Sequence, residues 1–365
     1  MLARPELRPT LSSLVRELQI HYHDEETDEV HEPLIDTLWE LENIESLSLR
    51  SLPLKGIFEE QSNRLMGIFA PRIKIDELRP RLAGQNLRSL YLGAAFKGKF
   101  KDWWSLGPNE IVFYIENLEI LCIQGAKFGR LHPKVFAARV APNRASLKKL
   151  TLLNCDISSE ILEEILTGLD GLKSFTLKGL DAEFPWPYGL YQHRFTESYI
   201  QALAKTTAET LEYLDLDVSE AESDSDFSSL EHLKHLIVPA DTFQRDELNT
   251  DNDWTGRRLP GTLENLIVKD FESDGLWTDV LIGMLKNGQP PNLRTIKYET
   301  YYHPEQFDDW ETMRHRGWNY DIEQFREYGI ELHIDRCYDP SPMPENENWP
   351  CDCWTYHHIG TALMI

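Results

Sequence analysis

No stretch of this 365-residue sequence approaches the roughly 18 consecutive apolar residues that a bilayer span needs. The opening MLARPELRPTLSSLVREL lacks both an apolar signal core and a small-residue cleavage site, so no secretory leader is expected. Cysteine is scarce. Five thiols in a chain this long fit reduced thiols better than a disulfide framework, and the cytoplasm or nucleus is the expected compartment. Basic charge is short as well: 37 Lys and Arg stand against 61 Asp and Glu, a formal charge of −24, which argues against nucleic acid as the partner. Absent too are a Gly-x-Ser-x-Gly elbow, a phosphate loop, a His-Glu-x-x-His helix and a Gly-x-Gly-x-x-Gly turn. Acidic side chains abound, but nothing in their spacing brings two together in a cleft. The expectation is therefore a non-enzyme with no cofactor, no metal and no membrane contact.

What the sequence does have is leucine at fixed spacing. Residues 147–157, LKKLTLLNCDI, read L-x-x-L-x-L-x-x-C-x-I. In a short strand followed by a turn, Leu147, Leu150, Leu152 and Ile157 point to one side, and Cys155 is small enough to sit under the turn beside backbone polar groups. The same core recurs around Leu18, Leu47, Leu90, Leu121, Leu150, Phe175, Leu214, Leu236, Leu266 and Ile296, each with an apolar residue three positions before and two after. Neighbouring copies lie 22 to 43 residues apart. The pattern resembles the leucine-rich-repeat consensus with its Asn/Cys position, whose period is roughly 20–29 residues, and the widest intervals read as insertions. One such unit cannot bury its own apolar face, so copies must stack. The expected fold is α/β: a leucine-rich-repeat solenoid, or horseshoe, with a parallel concave sheet and a helical convex side. Its irregular repeats cover 1–336, and 337–365 depart from the pattern as a C-terminal cap would. Length alone would allow two compact domains, but a solenoid core grows lengthwise, so one continuous domain is expected.

A second resemblance covers residues 2–18 only. ARPELRPTLSSLVREL is similar to the junction that follows the F-box in fungal F-box/leucine-rich-repeat proteins, where a Pro-punctuated stretch leads into the first repeat strand. That resemblance implies a substrate receptor of a cullin-type ubiquitin ligase, its adaptor docked by an F-box expected upstream of residue 1. The competing expectation is a stand-alone scaffold with no ubiquitin role.

Between the cores, helical spacing places Leu34, Leu38 and Leu41 on one face, starts a helix after Pro108 through Ile111, Tyr114 and Ile115, and marks another over Thr196 to Ala208. The clearest helix follows Ser158, an N-cap candidate with Glu160 in the first turn and Gly168 at the end. A second apolar stripe, Leu276 to Leu285, ends near Lys286 and Gly288. The acidic stretch HYHDEETDEVHE reads as a solvated loop. Phe96, Phe100, Trp103 and Trp104, interleaved with lysines, read as a roof over the core or as a contact loop for an acidic peptide or for nucleic acid. In the tail, Cys337, Cys351, Cys353, His357 and His358 lack the paired C-x₂-C spacing of a zinc site and read as part of the cap.

Strand alternation sends the residues between the leucines to the concave surface. The expected contact set there is Tyr91, Gln124, Lys149, Thr151, Thr176, Lys178, Tyr213, Asp215, Asp217, Lys269 and Lys297. Phe184, Trp186, Tyr188 and Tyr191 join it from the Pro-rich insertion 181–194, whose stiff backbone would hold aromatics at low entropic cost. The expected partner is a protein, bound by a monomer.

Overall fold

The computed structural model describes residues 14–21, 38, 41, 43–52, 86–94, 104–106, 111–115, 117–129, 146–169, 171–178, 196–217, 226–243, 259–270, 277–301 and 321–337. Among the described residues thirteen strands follow one another: β1 (Glu17–His21), β2 (Ser46–Leu52), β3 (Ser89–Ala94), β4 (Trp104–Leu106), β5 (Ile120–Gln124), β6 (Ala126–Phe128), β7 (Lys149–Leu153), β8 (Ser174–Lys178), β9 (Tyr213–Asp217), β10 (His235–Pro239), β11 (Asn265–Asp270), β12 (Thr295–Tyr301) and β13 (Glu331–Cys337). Eleven of them form one open sheet in chain order, and β4 pairs with β6 in a second, two-stranded sheet. Every pairing is parallel. The architecture is thus α/β with an open, all-parallel sheet and few helices.

Register follows from the apolar pattern. Leu18, Leu47, Leu90, Leu121, Leu150, Phe175, Leu214, Leu236, Leu266, Ile296 and Leu332 stand opposite one another from edge to edge. A slip of one residue would turn a whole strand's leucines away from the core, so burial of one face pins the pairing. From Leu47 to Ile296 these residues are 2% exposed or less. At the edge, Val15, Leu18 and Ile20 are only partly buried, since β1 has a neighbour on one side alone.

The residue just before each strand has a second task. Its carbonyl accepts two successive N–H groups from the start of the next strand, as Glu119 O does from Lys148 and Lys149, and Lys173 O from Glu212 and Tyr213. Along the sheet these residues are Arg16, Glu45, Arg88, Glu119, Lys148, Lys173, Glu212, Lys234 and Glu264, and Arg294 before β12 accepts one such N–H, from Glu331. All are charged, and their signs alternate except at Lys148 and Lys173. Strand stacking brings them side by side, and Arg16–Glu45 (3.2 Å), Lys148–Glu119 (3.1 Å), Lys173–Glu212 (2.8 Å) and Lys234–Glu212 (3.5 Å) are ion-paired. Each exposed pair contributes about 0.2–1 kcal/mol at most, but like charges at the same places would oppose the correct register. Hydrogen bonding from Lys173 holds the Glu212 carboxyl below its ordinary range.

Beyond the strands, Gly125 (φ 73°) and Asn154 (φ 49°) occupy equivalent places, three residues before Phe128 and Ile157. Both adopt the left-handed conformation that glycine and asparagine tolerate best, and the chain turns there out of the main sheet. It then enters the shorter row of β4, β6 and the bridge between Lys127 and Asp156. Cys155 lies under this turn, 1% exposed, its thiol 3.3 Å from Leu153 O and 3.5 Å from Ile123 O, as its small size led us to expect.

The helices cover the leucine side. In α1 (Ser159–Thr167), Ser158 Oγ accepts from Ile161 N–H, and Ile161, Leu162, Ile165 and Leu166 are buried. Gly168 ends the helix through its N–H, but at φ −85° it keeps right-handed geometry. Helix α2 (Thr196–Thr207) packs on α1, and its buried Tyr199 donates to Ile157 O at 2.5 Å. Helix α3 (Trp277–Lys286) buries Val280, Leu281, Met284 and Leu285. It closes through Gly288 N–H to Leu285 O and Gln289 N–H to Met284 O, the paired bonds of a Schellman cap. Trp277 stacks on Tyr298 of β12 at 4.8 Å.

Two local expectations need correction. Of the segment after Pro108, the described residues form a 3-10 turn, Ile111–Tyr114, in place of the expected helix and bury Val112, Phe113 and Ile115. Trp104, expected in a loop, opens β4. Leu38 and Leu41 are buried as their spacing predicted. Among the described residues no helix is long and apolar enough to cross a membrane.

One pH effect arises at the end of the helical side. Burial, and next the charge of Asp279, raise the Asp321 pKa to about 6. A carboxyl raised on folding stabilises the fold below its unfolded pKa near 4, and that contribution is lost as pH climbs through 6. Asp321→Asn should therefore match wild type at about pH 4 and be more stable at pH 7, by on the order of 1 kcal/mol after discounting for half-exposure. Thermal melts at the two pH values test this, and an equal difference at both would contradict it.

Candidate functional site

The side of the sheet opposite the leucines carries three rows of side chains, one from each outward position of the strands. The first expected contact residues fall at its N-terminal end. Tyr91 on β3 donates its hydroxyl to Gln124 Oε1 on β5. Arg50 on β2 lies 5.0 Å from the Tyr91 ring centroid and donates through Nε to Ser48 Oγ at 3.3 Å. Three neighbouring strands are thus tied by one line, Arg50–Tyr91–Gln124, in which a cation rests on an aromatic face. Arg50 was visible as an outward position but was left out of the expected contact set. The signal that finds it is its place one residue beyond Leu49, which stands in register with Leu92, Ile123, Leu152 and Leu177.

Gly93 makes this line possible. It follows Tyr91 by two residues on the same side and pairs with Gln124. A Cβ there would lie 3.0 Å from Tyr91 Cε1 and 3.3 Å from Gln124 Oε1. Gly93→Ala should push the ring off Gln124 and cost about 1–2 kcal/mol by overpacking. Chemical denaturation of Gly93→Ala beside Tyr91→Phe would show it. A loss in Gly93→Ala below a few tenths of a kcal/mol would mean that the ring does not need this gap.

In the middle of the sheet, Lys149, Thr151, Thr176 and Lys178 lie on β7 and β8 as expected. Their exposure differs from that of a simple wet surface. Thr151 and Thr176 are buried, Lys149 is half-buried, and burial holds the Lys149 pKa below its ordinary value. Beside them, dense packing and then the neighbouring Cys155 push the Cys122 thiol up, so at neutral pH it remains a thiol and a poor nucleophile.

The most enclosed group of the face is Asp215 on β9, with a side chain 5% exposed. Lys178 Nζ reaches its Oδ2 at 3.3 Å, and Lys269 Nζ, from two strands further on, reaches its Oδ1 at 3.4 Å. One carboxylate therefore receives two ammonium groups. On β12, Lys297 pairs with Glu299 at 2.8 Å. Tyr213 sits 6.3 Å from the His235 ring, and the row continues through a His235–Asn265 contact (3.1 Å) and a Thr295–Asn265 hydrogen bond. Burial, with Asp215 and Glu299 next, raises the Tyr213 pKa, so its hydroxyl stays a donor. Asp217 closes β9, and its side chain lies outside the described residues.

Apolar members of this side are absent from the expected contact set: Ile120 on β5, the buried Leu153 on β7 and Ile237 on β10, and Ile267 on β11. Only strand parity marks them as outward. Phe184, Trp186, Tyr188 and Tyr191 of the insertion lie outside the described residues, as do Phe96, Phe100, Trp103, Cys351, Cys353 and His357. Among the described residues no three His, Cys, Asp or Glu side chains gather as metal ligands would. Comparison of the chain with models of known protein families, and with curated proteins, finds no match in either.

Proposed function

We propose that this chain is a leucine-rich-repeat solenoid acting as a non-catalytic interaction module, with one protein partner bound along the concave, polar side of its sheet. The observation that carries the reading is the register: eleven parallel strands in chain order keep their outward positions aligned, apart from a shift at the end of β2. At roughly 4.8 Å per strand the rows extend about 50 Å, a length that suits a protein segment rather than a small molecule, which needs an enclosing pocket. Tyr91, Gln124, Lys149, Lys178, Tyr213 and Lys297 supply the contacts. Thr151, Thr176, Asp215 and Lys269, being buried, set the shape beneath them.

The test is affinity purification of the partner followed by lysine acetylation footprinting of the complex. Protection is expected at Lys149, Lys178 and Lys297 and not at Lys205 or Lys286, which belong to α2 and α3. Protection confined to Lys205 and Lys286 would move the partner to the helical side and defeat the reading. The resemblance over residues 2–18 supports a narrower version, in which the partner is a protein destined for ubiquitination and an upstream F-box recruits the ligase adaptor. Co-precipitation of the adaptor with the product of the whole gene separates this from a stand-alone scaffold in the cytoplasm or nucleus: recovery favours the ligase role, and its absence favours the scaffold.

A further inference from the structure

Charge is distributed unevenly over the polar side of the sheet. On five adjacent strands, β2, β3, β5, β7 and β8, the first three outward positions hold the cations Arg50, Lys149 and Lys178 and not one carboxylate. The other residues there are hydroxyl-bearing, amide, small or apolar, with Thr151, Ser174 and Thr176 at the centre. In a chain with 61 acidic and 37 basic residues this is a segregated patch, and its boundary is sharp, since the carboxylates begin on the next strand with Asp215. The cations are also held in place. Arg50 rests on Tyr91, which is fixed by Gln124, and Lys178 is anchored by Asp215 while its side chain remains 20% exposed. Lys149 is half-buried, and a partly dehydrated ammonium gains more from an incoming anion than a fully hydrated one does.

Building on the proposed use of this face, we infer that its N-terminal half receives an acidic, extended segment of the protein partner, whose Asp and Glu carboxylates meet Arg50, Lys149 and Lys178. The five strands span about 20 Å, the length of about six extended residues. At 0.1 M salt the Debye length is about 10 Å, so the segment responds to the local cations more than to the distant acidic surface.

The experiment uses the full chain and a fluorescein-labelled decapeptide of alternating Glu and Gly, read by fluorescence anisotropy at about 0.1 M salt, with a Lys/Gly peptide as control. Saturable binding of the Glu peptide alone is expected. Lys178→Gln, and independently Lys149→Gln or Arg50→Gln, should each weaken it about threefold to tenfold, while Lys205→Gln on α2 leaves it unchanged. Three variants on three strands guard against misfolding of one. No saturable binding, or an equal loss in Lys205→Gln, overturns the inference. So does a peptide of alternating phosphoserine and Gly that binds tenfold or more tighter, because the occupant would then be a phosphorylated segment. If the Glu peptide fails while a purified partner still protects Lys149 and Lys178 from acetylation, the acidic occupant is wrong and the face remains the binding site. If the partner protects only the helical side, the face reading itself has failed.

Discussion

Phe175→Ala lowers the unfolding free energy by about 3–5 kcal/mol, the largest loss expected from any single truncation in the sheet. Phe175 is 0% exposed and stands in register between Leu150 and Leu214, both equally buried, at the middle of the eleven strands. Removing the ring takes away its transfer free energy and leaves a cavity that two rigid neighbouring strands cannot close. Thr176→Ala, one residue along and on the other side, should cost about 1 kcal/mol or less, since it removes a hydroxyl and a methyl without opening the leucine core. Urea unfolding compares the two. Hydrogen exchange adds a spatial test: because each strand of the large sheet pairs only with the strands next to it in the sheet order, exchange should quicken around β7, β8 and β9 before it does at β12 and β13. A uniform rise over the whole sheet would show that stability is shared globally and not passed from neighbour to neighbour.

Asp215→Asn is expected to cost about 3–5 kcal/mol. The carboxylate is 5% exposed and Lys269 is 6% exposed, so neither ion can recover its hydration when the other is removed. Loss of the Asp215 charge leaves the ammonium groups of Lys178 and Lys269 close together without the anion that they share. Lys269→Met should cost less, about 1–2 kcal/mol, since Lys178 remains to balance Asp215. The double variant tests the interaction itself. In a thermodynamic cycle the two losses should fall short of additive by about 1–3 kcal/mol, and additivity within about 0.5 kcal/mol would mean that the 3.4 Å contact carries no coupling.

Much of the backbone was legible before any coordinates. The leucine spacing alone located the ten aligned core positions from Leu18 to Ile296, because period-two alternation and one buried face leave a single workable register. Ser158, Gly288 and Cys155 were legible too, since a cap, a helix end and a tight turn each demand a residue type at a fixed offset. The charged residue before each of the first ten strands of the main sheet is equally visible in the sequence. Its meaning depends on strands being neighbours, and only then do Glu119 and Lys148 become a pair. Ile111–Tyr114 winds as a 3-10 turn and not as the expected helix, because three apolar residues at helical spacing do not distinguish the two windings over so few residues.

By itself, then, the sequence determined which residues alternate, which face is apolar and how the chain divides into strands, because these follow from local spacing and the cost of exposing leucine. The tertiary structure alone decided what the polar side became. Lys269 and Asp215, 54 residues apart, meet only because two intervening stackings bring β9 and β11 within reach, and Tyr91 reaches Gln124 only because Gly93 leaves room. Hydrophobic burial is nearly indifferent to partner and so can be read from composition along the chain. Ion pairs and hydrogen bonds need particular atoms within about 3 Å, and that proximity exists only after folding.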